Sequence, residues 1–191
     1  MIRHALPLRV ENEDGAPADP SLSPEGLGQA RKLAGRLAAE KLDRVYASPM
    51  RRAHETAQVF ADASGHQIDL HPGVVEFDQD AAIYIPLEEL KRTDYARWLE
   101  LVQGGFEMTV DFEAFQRTVI AAIEEIIGAN AGRRVAVFCH GGVINCWASH
   151  VVQAPQPFIF QPEYTSVSRF LAASSGERNL VSLNEADHLQ A

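Results

Sequence analysis

Cysteine is scarce in this chain: Cys139 and Cys146 are the two among 191 residues, too few for a disulfide framework. Long apolar runs are missing as well. The longest, Val135 to Cys139, is far short of the ~20 residues that span a bilayer. Positive charge is in deficit, with 17 Lys and Arg against 26 Asp and Glu for a net charge of -9. Nucleic-acid backbones and anionic membranes would repel such a chain over long range, so neither is expected as a partner. Repeats, low-complexity tracts and interdomain linkers are absent, and the first residues show no charged-then-apolar leader pattern. A reducing, cytoplasmic setting is the expectation. What remains is an ordinary globular composition, in a chain able to bury about 70% of the surface its unfolded form exposes. One domain over 1–191 is expected, with a small insertion at about 78–110.

The apolar periodicity alternates between strand and helix. After a polar loop from Glu11 to Ser21, Ser23 can cap a helix with Pro24 at its first position. Leu27, Ala30, Leu33, Ala34 and Leu37 would line one face of this helix, which should end near Lys41. Arg44 to Ala47 reads as a strand. Ser48 and Pro49 then restart a helix with Ala53, Ala57, Phe60 and Ala63 on its apolar face, ended by Gly65. Gln67 to Leu70 reads as another strand, and Pro86 to Gly104 as one or two short helices with Trp98, Leu99 and Val102 as apolar contacts.

From the cap Asp111, Phe112, Phe115, Val119, Ala122, Ile123 and Ile126 recur at helical steps until Gly128. Val135 to Cys139 is continuously apolar, as suits a parallel strand covered on both faces, and a helix follows from Val143 to about Val152. Ser166 to Ala172 and Asn179 to Leu183 flank a turn and read as an antiparallel hairpin. The fold class is therefore α/β.

Three cationic or imidazole pieces fall where such folds bind ligands, at the transitions from strand to helix. They are Arg3-His4, Arg51-Arg52 and His140 with Gly141 and Gly142 behind it. In an acidic protein, a phosphate-bearing ligand has to be caught by local positive groups of this kind. Cys139, Cys146, His140 and His150 fit no common zinc spacing, so no metal or other cofactor is expected and the cysteines read as buried thiols. His54 reads as a surface residue near the mouth.

In order along the chain, these pieces resemble one family. Arg3-His4-Ala5 is similar to an Arg-His-Gly opening. Asp19, Leu22, Ser23, Gly26, Gln29 and Ala30 are similar to an Asp-x-x-Leu-Thr/Ser-x-x-Gly-x-x-Gln-Ala segment. Ser48-Pro-Met-Arg-Arg52-Ala-His-Glu-Thr-Ala57 resembles Ser-Pro-Leu-x-Arg-Ala-x-x-Thr-Ala, which makes Arg52 rather than Arg51 the motif arginine. Val137-Phe-Cys-His140-Gly-Gly142 resembles a second histidine segment. The family is the histidine phosphatases, or phosphoglycerate mutase-like superfamily, and the resemblance covers nearly the whole chain.

The resemblance implies a three-layer sandwich with a mostly parallel central sheet and helices on both faces. It implies His4 as a nucleophile that forms a phosphohistidine, with Arg3, Arg52 and His140 around the transferring group and His140 also catalytic. Nearby cations should keep His4 unprotonated. Glu76, following the apolar pair Val74 and Val75, takes the place of the acid and base, with Asp78 and Asp80 as alternatives. Tyr95 and Trp98 would pack a flap within Ile83 to Phe106, and Tyr164, Thr165 and Ser166 would lie near the phosphate.

Two departures matter. The Ser-x-Trp-Asn and Glu-Arg-His-Tyr-Gly segments of cofactor-dependent mutases are absent, which points to metal-independent hydrolysis of a small phosphorylated metabolite. A phosphoryl-transferring mutase and an inactive phosphate-binding relative are the alternatives. Only Met1 and Ile2 precede Arg3 where the family has a central strand of about five residues, so the native chain is expected to begin further upstream.

Overall fold

The structure is a computed structural model and describes residues 1–100 and 111–190. A six-stranded sheet forms the middle layer. Its strands are β1 (Ile2–Arg3), β3 (Arg44–Ala47), β4 (Ile68–Leu70), β6 (Val135–Cys139), β7 (Val167–Ala172) and β8 (Arg178–Glu185), in the spatial order β4-β3-β6-β1-β7-β8. The first four run parallel, while β7 is antiparallel to β1 and β8 to β7. A separate small ribbon pairs β2 (Val10–Glu11) with β5 (Ile83–Tyr84).

Side-chain alternation along the strands splits the apolar residues between two helix layers. Ile2, Val45, Ala47, Ala136, Phe138 and Val167 pack on α1 (Pro24–Leu37) and α2 (Arg51–Ser64) through Leu33, Leu37, Ala57 and Phe60. On the opposite face, Val137 and Cys139 pack on α5 (Phe112–Ala129) and α6 (Gly141–Val152) through Val119, Ile123, Ile126, Val143 and Trp147. Burying a side chain such as Phe138 contributes roughly 1.5–3 kcal/mol. The three-layer, mostly parallel α/β architecture of the sequence reading is therefore correct. No helix among the described residues is long and apolar enough to cross a membrane.

Local chemistry sets the helix ends. Ser23 Oγ accepts from Gly26 N at 3.0 Å and Asp111 Oδ1 from Ala114 N at 2.9 Å, so both capping assignments hold. Gly65, at φ 77°, ends α2 in the left-handed conformation that favours glycine. Other boundaries move. α1 stops at Leu37 rather than near Lys41, because Glu40 turns away to bind Arg169. α2 starts at Arg51, and Ala61 rather than Ala63 is buried. Pro86 to Gly104 supplies α3 (Leu87–Thr93) and α4 (Tyr95–Glu100), while Val102, Gly104 and Phe106 lie outside the described residues.

The sheet has no gap beside β6. β1 is short, but backbone hydrogen bonds cover both its sides from Met1 to His4: Arg3 N to Ser166 O at 3.2 Å, His4 N to Cys139 O at 2.9 Å and Ser168 N to Met1 O at 2.8 Å. Ile2 pairs with Phe138 on one side and Val167 on the other.

Candidate active site

Three parallel strands end side by side, and the residue after each carries a polar group to the same edge of the sheet. His4 follows β1, Ser48 follows β3 and His140 follows β6. Edges where parallel strands stop and helices begin are where ligands meet free amides and converging side chains.

His4 is 3% exposed and pinned through its backbone, donating to Cys139 O and accepting from Thr165 N at 3.3 Å. Its Nδ1 lies 2.8 Å from Ala5 O. A carbonyl can only accept, so Nδ1 carries the proton and the neutral ring keeps its lone pair on Nε2. Burial, then the positive charges of Arg52 and Arg3, hold the His4 pKa well below its ordinary value. The ring is 5.2 Å from that of His140 and 5.7 Å from that of Tyr164, centroid to centroid.

The arginines are held by their outer edges. Arg3 stacks its guanidinium carbon 3.9 Å from the centre of the Tyr164 ring and donates from Nη1 to Pro162 O at 2.6 Å, with Glu88 Oε1 at 3.4 Å. Arg52, 1% exposed, donates from Nη2 to Asp78 Oδ1 at 2.7 Å and lies over the Tyr84 ring at 4.6 Å. Arg3 Nε and Arg52 Nε and Nη1 are buried with no hydrogen-bond partner among the described residues. The neighbouring Arg51 instead pairs with Ser21 and Glu55 on the solvent side, while its amide donates to Asp19 Oδ1.

His140, fully buried, places Nε2 2.8 Å from Ser48 Oγ, which also accepts from Met50 N at 3.3 Å. His140 Nδ1 is again a buried atom without a partner among the described residues. Burial and the cations Arg52 and Arg3 keep this imidazole neutral too. Three guanidinium N–H donors of Arg3 and Arg52 and the His140 Nδ1, all without a partner among the described residues, thus belong to one neighbourhood around an unprotonated histidine. Buried donors without partners are costly, and an anion would satisfy them.

Glu76 is 7% exposed and accepts from two amides, Gly142 N at 2.7 Å on Oε2 and Phe77 N at 3.1 Å on Oε1. Burial and the negative charge of Asp78 nonetheless raise its pKa to about 7. The carboxyl can therefore release or take a proton near neutrality. Gly142 is required here, since a Cβ at that position would come within 2.3 Å of Glu76 Oε1. Glu76 follows Val74 and Val75 as the sequence reading has it, but these do not form a strand. It follows a 3-10 turn, Pro72–Val74, with Val74 buried in the α5–α6 layer and Val75 half-buried.

All five sequence candidates, Arg3, His4, Arg52, Glu76 and His140, meet at this edge. Asp78 belongs to the cluster through Arg52, whereas Asp80 is exposed. Tyr164, Thr165 and Ser166 touch Arg3 or His4 as expected. Tyr95 and Trp98 stack at 5.3 Å. His54 is half-buried on α2, outside the cluster. Sequence reasoning missed Ser48 as the partner of His140, Thr56, whose Oγ1 accepts from Ala5 N at 3.0 Å, and Tyr84 beside Arg52. Ser48 and Thr56 lie inside the quoted motif, but nothing local marks Tyr84. Cys139 and Cys146 are buried free thiols, with pKa values pushed up to about 12 by burial. Among the described residues no group of three His, Cys, Asp or Glu is placed to hold a metal ion.

Fold and pocket together define a class, an α/β protein that presents a neutral imidazole to an anion within a cationic cradle. The model of the histidine phosphatase superfamily (branch 1) matches residues 1–186, and the chain belongs to that family. It is 34% identical over 130 residues to phosphoserine phosphatase 1 of Hydrogenobacter thermophilus, a match covering 64% of this chain and 60% of that protein. Among solved structures, it is similar to a phosphoserine phosphatase variant from Entamoeba histolytica in complex with phosphoserine, with TM-score 0.73, 22% identity and 98% and 96% of the two chains covered. It is also similar to the α-ribazole phosphatase of Shigella flexneri, with TM-score 0.74, 18% identity and 97% and 95% covered.

Proposed function

We propose that this protein hydrolyses the phosphomonoester of a small metabolite, without a metal, through a phosphohistidine on His4. One observation carries the reading: the His4 lone pair is directed by the Nδ1 bond to Ala5 O while donors of Arg3, Arg52 and His140 stand unpartnered around it. In the first step a bond forms between Nε2 and phosphorus as the ester P–O bond breaks, and the leaving oxygen takes the proton of Glu76. In the second step the Glu76 carboxylate removes a proton from water, whose oxygen attacks phosphorus as the N–P bond breaks. Inorganic phosphate leaves and both side chains return to their starting states. The guanidinium and imidazole donors offset the charge that spreads over the phosphoryl oxygens.

Relatives named for phosphoserine and α-ribazole phosphate support a small phosphorylated substrate. The free, buried thiols agree with a reducing, cytoplasmic setting.

The test is phosphate release from p-nitrophenyl phosphate with a chelator present. Turnover should survive the chelator, fall by at least a thousandfold in His4→Ala, and leave an acid-labile phosphate on the wild-type protein after quenching. Full turnover by His4→Ala would overturn the assignment. Phosphate binding without any turnover would favour a binding protein instead.

A further inference from the structure

Asp78 stands two residues beyond Glu76, and the structure gives it a task other than proton transfer. Its Oδ1 takes a hydrogen from Arg52 Nη2 at 2.7 Å, while Arg52 Nε and Nη1 have no partner among the described residues. A guanidinium is planar with its five N–H bonds in fixed directions, so a carboxylate on one outer nitrogen sets where the remaining donors point. The Tyr84 ring beneath Arg52 removes the freedom to tilt.

The same carboxylate also acts on Glu76. The groups facing Glu76 come from four elements: Arg52 from α2, His140 and the Gly142 amide at the start of α6, the thiols of Cys139 on β6 and Cys146 on α6, and Asp78 on its own loop. His140 and both thiols are uncharged near neutral pH. That leaves one cation, Arg52, which favours the ionised carboxylate, and one anion, Asp78, which opposes it.

Resting on the reading of Glu76 as acid and base, we propose that Asp78 is a positioning residue that aims the free donors of Arg52 at the phosphoryl group and keeps the proton on Glu76 until the leaving oxygen takes it. The two effects are coupled through one ion pair. With Asp78 in place, Arg52 is fixed for the phosphate and its charge toward Glu76 is partly neutralised. Without it, Arg52 loses the contact that orients its donors, and its full charge favours the ionised acid. Both changes shift the Glu76 equilibrium in the same direction, toward ionisation.

The experiment compares wild type, Asp78→Asn, Asp78→Glu and Glu76→Gln. It records kcat/KM against pH for an alkyl phosphate, whose leaving oxygen needs a proton, and for p-nitrophenyl phosphate, whose leaving oxygen does not. In Asp78→Asn the alkaline limb for the alkyl ester should move down by about half a pH unit or more. Inorganic phosphate should bind this variant about tenfold more weakly. Asp78→Glu keeps the charge and should restore the limb. A substrate's own ionisation is common to all the proteins and cancels in the comparison.

A merely structural role would lower rates equally at every pH, and an unshifted limb in Asp78→Asn overturns the proposal. So does unchanged phosphate affinity. Should Asp78→Asn fail to fold by circular dichroism, Asp78→Ser takes its place with the same expected shift. Glu76→Gln separates the two layers of the argument. It should lose alkyl phosphate turnover far more than p-nitrophenyl phosphate turnover, and wild-type rates on both esters would overturn the acid assignment itself, leaving the phosphate-affinity result to judge the Arg52 contact alone.

Discussion

His4 and Glu76 are both buried, and burial moves their protons in opposite directions. Removal from water penalises whichever form is charged, so the imidazole stays unprotonated while the carboxyl holds its proton to about pH 7. For stability the signs differ as well. Glu76, raised from 4.5 to about 7, binds its proton more tightly folded than unfolded, so its contribution falls as pH rises through that window. The histidines, depressed below 6.5, weaken the fold as pH drops beneath that value, because the unfolded chain then takes up protons. Glu76→Gln removes the first of these alone. Calorimetry across pH 4.5 to 8 should show the Tm of Glu76→Gln rising relative to wild type between about pH 4.5 and 7, then levelling. A constant difference over that range would contradict the raised pKa. The residue types Arg3, His4, Arg52 and His140 were legible from sequence because each sits in a short, ordered motif. Their partners were not. Pro162 O, Tyr84 and Gly142 N are brought to Arg3, Arg52 and Glu76 from 159, 32 and 66 residues away, over distances no local pattern encodes.

At the scale of elements, short-range rules carried most boundaries. The caps at Ser23 and Asp111 and the stop at Gly65 depend on residues within one turn, so a reader of sequence meets all the participants together. Where tertiary partners intervene, the rule yields. Ser48 looks like a helix cap, yet its hydroxyl is spent on Met50 N and His140, and α2 begins three residues later. Glu76 likewise owes its place to a 3-10 turn and to the start of α6, where Gly142 N and the missing Cβ make room for the carboxylate. Gly142→Ala should therefore leave a folded protein with its acid displaced. Turnover of an alkyl phosphate should fall at least tenfold more than turnover of p-nitrophenyl phosphate, measured side by side on the purified variant. Equal losses of kcat/KM on both esters would show that the Glu76–Gly142 contact does not serve proton transfer to the leaving oxygen.

The whole molecule depends on a very short central strand. β1 lies between β6 and β7 with Ile2 2% exposed, and the residue after it, His4, inherits its position from those backbone bonds. Ile2→Ala should cost about 2–5 kcal/mol in urea unfolding, a large share of the stability of a domain this size. The same variant should lose activity beyond its loss of folded protein, because the ladder that aims His4 is loosened. Unchanged stability would mean that the centre of the sheet does not rely on this strand. On the far side of β7 and β8, a network of Arg169 with Glu40 and Glu185, and of Arg36 with Glu185, ties the hairpin to α1. Its partly exposed ion pairs contribute through their number and arrangement rather than singly.

By itself, the sequence determined the α/β alternation, the splitting of apolar residues between two helix layers, the helix caps and the residue types of the site. Each of these follows from periodicity, from capping chemistry within one turn, or from motifs a few residues long. The tertiary structure alone decided that Ile2 and Arg3 pair with β6 on one side and β7 on the other, since those hydrogen bonds come from residues far along the chain. It decided that Asp78 serves Arg52 while Glu76 stays buried, a distinction invisible between two carboxylates two residues apart. Burial and the charges set beside a group govern its proton, and both are created only when strands and loops distant in sequence close on one edge of the sheet.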